Sequence, residues 1–179
     1  MYILGDIGNT ETKIWLVSKK NHIIKKINFS SKEVTNYKLS KIFKKYNFKF
    51  KDIEKILFCS VVPPTFNLIK KFLSKKTNNK CYEVKSLSLK SLIKIKVDYK
   101  QVGSDRITNA ISLMNNKNNF IILDFGTATT FDVLVQNTYY GGIIAPGVKL
   151  SLNSLSDKAT LIPRINLKKI TKVIGNNTI

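Results

Sequence analysis

Two stretches with the same grammar stand 118 residues apart, and together they restrict the fold more than any other feature of the chain. In the first, Tyr2-Ile-Leu-Gly-Asp6-Ile-Gly8-Asn9-Thr10, a strand-like run reaches a carboxylate and then a glycine turn; Lys13-Ile-Trp-Leu-Val17 reads as the strand coming back. The second, Ile121-Ile-Leu-Asp124-Phe-Gly126-Thr127-Ala-Thr129-Thr130-Phe-Asp132, repeats the device with three hydroxyls in or beside the turn. A glycine in such a turn lets backbone N–H groups approach a phosphate closely, and Asn or Thr side chains add short donors. A carboxylate at the strand end suits a hydrated Mg²⁺. Either hairpin alone is also an ordinary turn. Two of them at equivalent places read as an internal duplication, with the loops facing each other as a clamp for a nucleotide triphosphate.

The rest of the chain fits that reading. His22–Phe29 continues the first meander as a third strand, and Leu39, Ile42, Phe43 and Tyr46 have helical spacing. Lys55–Val62 is a buried strand closed by Pro63-Pro64. Thr65 is placed to cap the next helix, whose inner face is Phe66, Leu68, Ile69, Phe72 and Leu73. Cys81–Val84 is a short strand, Ile93–Tyr99 is extended, and Ser104–Met114 is helical. Asn115-Asn-Lys-Asn-Asn119 is polar and aperiodic. It separates an expected first domain, residues 1–116, from a second, residues 117–179. The second repeats the opening order: strands at 120–124, 130–135 and 139–145, then a helix from Ser151. Alternating strands and helices with a meander opening each half predict an α/β fold of two related domains.

Two further segments carry chemistry. Val102-Gly103-Ser104-Asp105-Arg106 opens a helix; Ser104 or Asp105 fits an N-cap, and Asp105 also fits a general base, with Arg106 a clamp for a carboxylate or phosphate. Tyr139-Tyr-Gly-Gly142-Ile-Ile-Ala-Pro146-Gly147 implies close backbone approach and a fixed turn, or a strand with a bulge.

Composition narrows the function. The formal charge of +20 comes from 29 lysines and only two arginines, Arg106 and Arg164. Lysine is scattered along the chain together with 18 asparagines and 23 isoleucines. Nucleic-acid readers favour arginine forks and aromatic platforms, so this charge reads as solvated surface that attracts anionic ligands, and no nucleic-acid partner is expected. Cys59, Cys81 and the single His22 are too few for a disulfide framework or a structural zinc site. A His-dependent nucleophilic mechanism would have to use His22, which reads as a solvated turn residue. No apolar run approaches the roughly 18–20 residues that span a bilayer. Without a leader-like N-terminus, a cytoplasmic protein with no membrane partner is expected.

At this point the residues resemble a family. Asp-x-Gly-Asn-Thr at 6–10, Ser-Val-Val-Pro at 60–63, Gly-x-Asp-Arg at 103–106, the Asp-Phe-Gly-Thr-Ala-Thr-Thr-Phe-Asp run at 124–132, Gly-Gly-x-Ile-x-Pro-Gly at 141–147 and Asn-Thr at 177–178 stand in the order seen in type III pantothenate kinases. The resemblance implies two duplicated ribonuclease-H-like (actin-like) domains. It also implies transfer of the γ-phosphate of ATP to pantothenate, the first step of coenzyme A synthesis, by a homodimer using Mg²⁺ and a monovalent cation, K⁺ or NH₄⁺. By position, Asp6, Gly8, Asn9, Thr10, Gly126, Thr127 and Thr129 are similar to the ATP and phosphate residues, with Asp6 on Mg²⁺. Asp105 resembles the catalytic base. Tyr99, Gly103, Ser104, Asp105, Arg106 and Thr178 resemble the pantothenate contacts, and Asp124 the monovalent-cation ligand. Two departures stand out. The segment Tyr99-Lys-Gln-Val-Gly103 is shorter than its counterpart. The family also continues beyond Asn-Thr, so the second domain is expected to be truncated and to expose apolar sheet surface. A non-catalytic or regulatory relative that keeps the fold is the alternative expectation.

Overall fold

The computed structural model describes residues 1–164. The fold is mixed α/β. Strands β1 (Tyr2–Ile7), β2 (Glu11–Val17) and β3 (Ile23–Ser30) form an antiparallel meander, and β4 (Lys55–Ser60) and β5 (Cys81–Glu83) extend the sheet in parallel from β1, giving the order β3-β2-β1-β4-β5. A second sheet contains β6 (Lys94–Ile95), β7 (Asn119–Phe125), β8 (Ala128–Val135) and β9 (Thr138–Pro146) in the order β6-β9-β8-β7, and β7, β8 and β9 form another antiparallel meander. The short strand β6 pairs in parallel with β9, so the second sheet draws one strand from before the polar segment at 115–119.

Helices α1 (Asn36–Lys45) and α2 (Pro63–Thr77) cover one face of the first sheet. The side-chain period of two sends Ile3 and Ile7 of β1 and Ile56 and Phe58 of β4 to that face, where Leu39, Phe43, Ile69 and Leu73 meet them, all nearly or fully buried. Phe43 stacks on Phe72 with ring centroids 5.4 Å apart. The helix after β4 begins three residues earlier than a Thr65 cap would allow. Pro63 and Pro64 fill its first turn, where their missing N–H groups cost nothing, and Val62 is the N-cap without a side-chain bond. Thr65, inside the helix, donates to the Ser31 carbonyl instead.

The opposite face of the first sheet, with Asp6, Leu57 and Cys59, looks toward α3 (Ser104–Leu113). Ile107 and Ala110 of α3 are fully buried against Ile122 and Leu134 of the second sheet, with Leu57 and Cys59 packed on the same cluster. The helix is therefore wedged between the two sheets. Its N-cap is Gly103, with no side-chain cap bond. Ser104 gives its hydroxyl to Glu83, and Asp105 accepts the next backbone N–H at 2.8 Å, so neither acts as the cap.

The other face of the second sheet is apolar and exposed among the described residues. Register puts Leu123, Phe131 and Ile143 side by side, flanked by Ile121, Val133 and Phe125, and Ile121, Phe125 and Ile143 are each more than two-thirds exposed. Helix α4 (Val148–Lys158) follows β9 directly. No helix among the described residues is long and apolar enough to cross a membrane.

Gly142 sits opposite Asp132 in the β8–β9 register, and a Cβ there would collide with the carbonyl oxygen of Phe131. Gly142→Ala should therefore lower unfolding free energy by about 1–3 kcal/mol. Gly126→Ala, whose Cβ would meet only ordinary contact with the Ala128 carbonyl, should cost under about 0.5 kcal/mol. Urea titrations of both variants check the contrast.

Candidate active site

The two hairpins present their acids at matching places. Asp6 is the penultimate residue of β1 and Asp124 the penultimate residue of β7. Each strand is followed by a glycine whose N–H closes the turn, Gly8 to the Glu11 carbonyl at 3.0 Å and Gly126 to the Ala128 carbonyl at 2.9 Å. The second turn is one residue tighter. The loops also meet: the hydroxyls of Thr10 and Thr127 lie 2.9 Å apart, an exposed hydrogen bond across the whole first half of the chain. Gly8 and Asn9 share that rim on the first loop, exposed or half-exposed. Thr129 has already entered β8 and is buried, so of the second-loop residues Gly126 and Thr127 reach the rim.

Between the hairpins stands the start of α3. Burial pushes the Asp105 carboxyl above its ordinary value; the charges of Asp6 and Asp124 push in the same direction, while the Arg106 backbone N–H pulls it back. Asp105 thus stands close enough to Asp6 and Asp124 to be repelled by both, and the three carboxylates come from three elements, α3, β1 and β7. Each is held. The Asn109 amide, one helical turn after Asp105, donates to Asp124 Oδ2 at 3.0 Å. The Cys59 thiol, level with Asp6 in the parallel β1–β4 register, donates to Asp6 Oδ1 at 3.5 Å. Burial, with the Asp6 charge second, pushes that thiol far up, so Cys59 is a neutral donor and not a nucleophile.

Arg106 turns into the second sheet. Its Nε donates to Asp132 Oδ1 at 2.8 Å, and Tyr139 donates its phenol to the same oxygen at 2.5 Å. Asp132 and Tyr139 are fully buried. Burial, and then the bond to Asp132, push the Tyr139 phenol up.

Tyr99 serves the floor behind α3. Its hydroxyl donates to the Lys85 carbonyl at 3.0 Å, and Lys85 Nζ lies 4.9 Å from its ring and donates to the Val102 carbonyl at 2.8 Å. Ser104, buried, is bonded to Glu83 in the same segment. Tyr99 and Ser104 thus brace the turn that carries Gly103, Asp105 and Arg106. Thr178 lies outside the described residues.

The sequence pattern missed Asn109, Cys59, Asp132 and Tyr139 as parts of the site. Only Asp132 left a signal: an acid at the inward phase of a strand, with Ile122 across from it and Leu134 two residues on.

A family model described as type III pantothenate kinase matches residues 2–179. A type III pantothenate kinase from Pelagibacter ubique (strain HTCC1062) is 63% identical over 179 residues, 100% of this chain and 72% of that protein. One from Sulfurihydrogenibium sp. (strain YO3AOP1) is 35% identical over 190 residues, again 100% of this chain and 73% of that protein. Among solved structures, a Campylobacter jejuni protein described as a Baf family transcriptional activator superposes with a TM-score of 0.53 at 19% identity, over 95% of this chain and 68% of its own; that likeness is one of fold.

Because its carboxyl is held above the ordinary range, Asp105 contributes to stability fully below its unfolded pKa and loses that contribution as pH rises through the higher folded value. Asp105→Asn should therefore unfold at higher urea than the parent at pH 7. The gain should vanish near pH ~4, where an unfolded aspartate itself protonates. Urea midpoints at the two pH values check this.

Proposed function

The chain belongs to the type III pantothenate kinase family, and we propose that its cleft phosphorylates pantothenate from ATP, yielding 4'-phosphopantothenate at the first step of coenzyme A synthesis. The observation that supports this most directly is the placing of the Asp105 carboxyl, shifted up by burial, between the strand-end carboxylates Asp6 and Asp124 of two opposed turn loops. A base with a raised pKa is matched to taking the proton of an alcohol as that oxygen attacks phosphorus. Gly8, Asn9 and Thr10 on one loop, and Gly126 and Thr127 on the other, line the phosphate path. Thr129 supports the second loop from within its strand.

The acid set fits a divalent cation that travels with the nucleotide. No group of three or more His, Cys, Asp or Glu side chains gathers to hold a metal among the described residues. Mg²⁺ bound with ATP asks for one or two carboxylates, because phosphate oxygens and water supply the other ligands. Asp6 would hold it, and its presence with ATP would neutralise charge on the transferring phosphoryl group. Asp124, fixed by Asn109, would face a monovalent cation, K⁺ or NH₄⁺.

On the acceptor side, Gly103 and Arg106 frame the alcohol, with Arg106 suited to the pantothenate carboxylate. Ser104 and Tyr99 act behind that edge. Thr178 would reach the acceptor site of a partner subunit in a homodimer. The fold is read as two actin-like halves, 1–116 and 117–179, each opening with a meander and closing its first hairpin on the nucleotide. A cytoplasmic location follows from that role.

Purified protein supplied with ATP, Mg²⁺, K⁺ and pantothenate should release ADP only when pantothenate is present. Asp105→Asn should cut kcat by about 10²–10⁴-fold. A coupled ADP assay decides: release that ignores pantothenate rejects the acceptor, and release unaffected by the substitution rejects Asp105 as the base.

A further inference from the structure

One buried ionic group has no task in the reaction just described. Asp132 is fully buried on β8, in a chain that has only 11 acidic residues. Its Oδ1 gathers Arg106 Nε–H at 2.8 Å, Tyr139 O–H at 2.5 Å and the Arg106 Nη2 atom at 2.5 Å, the last too far off-line for a hydrogen bond. As a source of stability this is a poor device. Apolar side chains of similar volume usually do as well as a buried ion pair, since both charges must first be taken out of water.

Nor is the cluster saturated. Asp132 Oδ2 and Thr130 Oγ1 are buried side-chain polar atoms left without a hydrogen-bond partner among the described residues, and Arg106 Nη2 has only its ion-pair contact with Asp132. Thr130 and Asp132 alternate on β8 and so share one face, the face that packs on α3. Polar capacity that is buried and unspent in one place, on the residue next to Asp105, marks a group arranged for a further contact.

The arrangement is directional. Nε donates to one carboxylate oxygen and Nη2 lies against the same oxygen, which restricts rotation of the guanidinium. Arg106 keeps 13% of its side chain exposed and Asp132 none. The remaining N–H groups of the fork are left for an incoming anion. An arginine free to rotate would lose its rotamer entropy on each binding event; one already locked would not. An amide at position 132 keeps the shape but carries no charge, and cannot hold the two donors on Oδ1 as strongly.

We propose that Asp132, braced by Tyr139, is the positioning residue of the acceptor site: it locks the Arg106 guanidinium in the orientation that receives the acceptor's carboxylate. The inference rests on the reading of the acceptor as a carboxylate-bearing alcohol. It differs from that reading in assigning specificity to a residue that touches no substrate.

Two measurements test it. In steady-state kinetics, Asp132→Asn should raise the pantothenate KM by about tenfold or more while the ATP KM and kcat stay within about twofold, the signature of lost acceptor binding and nothing else. Tyr139→Phe, which removes one donor and keeps the ion pair, should show the same split in smaller degree and carries the comparison if the Asn variant does not fold. Separately, ¹⁵N NMR should show a slowly exchanging arginine Nε–H, assigned by its absence in Arg106→Lys, that disappears in Asp132→Asn whether or not substrate is present. An unchanged pantothenate KM in a folded Asp132→Asn protein overturns the proposal, as does an Nε–H signal that persists in it; equal rises in both KM values with a lowered unfolding temperature would make the role merely structural. If the parent protein phosphorylates a different hydroxy acid and not pantothenate, the acceptor assignment falls, and the same KM split measured on that acid decides the role of Asp132.

Discussion

The ion pair between Arg106 and Asp132 is the contact on which the acceptor edge of the proposed site depends, because it joins the start of α3 to the second sheet by a directional bond. Apolar packing of Ile107 and Ala110 on Ile122 and Leu134 sets the depth of α3. Such packing is non-directional and leaves the helix free to slide or rotate. The bond from Nε to a carboxylate buried in β8 gives the Arg106 side chain a direction that packing does not. The N-terminal turn of the helix is tied to the first sheet by Ser104 on Glu83, and it is braced behind by Lys85 on Val102. Asp105 therefore takes its place from both sheets at once.

That location explains the electrostatics. A chain of net charge +20 surrounds a small acidic centre made of Asp6, Asp105 and Asp124. The field outside draws polyanions toward the protein. Inside, the carboxylates would repel a bare triphosphate, and they become complementary only to one that arrives with its cation. Under the proposed function, the two conditions together favour a metal–nucleotide complex over a free nucleotide. The raised pKa of Asp105 follows from the same crowding, after burial. The strain of holding three acids together is carried by neutral donors, Cys59 on Asp6 and Asn109 on Asp124, which hold the side chains in place without adding charge that would defeat the arrangement.

Much of this was legible in the sequence, for a definite reason. The hairpins announce themselves because a strand of period two that ends in Asp-x-Gly has few other uses, and both appear where the repeat put them, at Tyr2–Val17 and Asn119–Val135. The helix ends were misread where two chemistries competed for one position. Thr65 has the hydroxyl of a cap, but the preceding prolines start the helix earlier. Ser104 and Asp105 are good caps by type, yet Ser104 gives its hydroxyl to Glu83 and Asp105 accepts the Arg106 N–H, which leaves Gly103 as the cap. Asp132 and Tyr139 were visible as letters in motifs but not as a pair. Their seven-residue separation spans a hairpin whose register shifts at Val133/Leu134, and that shift is what brings the phenol onto the carboxylate.

Gly142 within β9 and Gly147 just after it place the two sides of the proposed site at one strand and its end. Gly142 allows β9 to run against the backbone of Phe131 and Asp132, where a side chain would push the strands apart and move the carboxylate that holds Arg106. Five residues on, Gly147 accepts the same closeness from the other loop: its N–H bonds the Thr127 carbonyl at 3.0 Å, and a Cβ would strike the carbonyls of Gly126 and Thr127. Under the proposed function, Gly142 supports the acceptor side and Gly147 the phosphate side. The distance between them is fixed by a length of β-strand, among the least compliant elements a protein can offer. On the proposed reading, such a site cannot adjust one substrate position without the other, which is what transfer between two substrates held at a set separation requires.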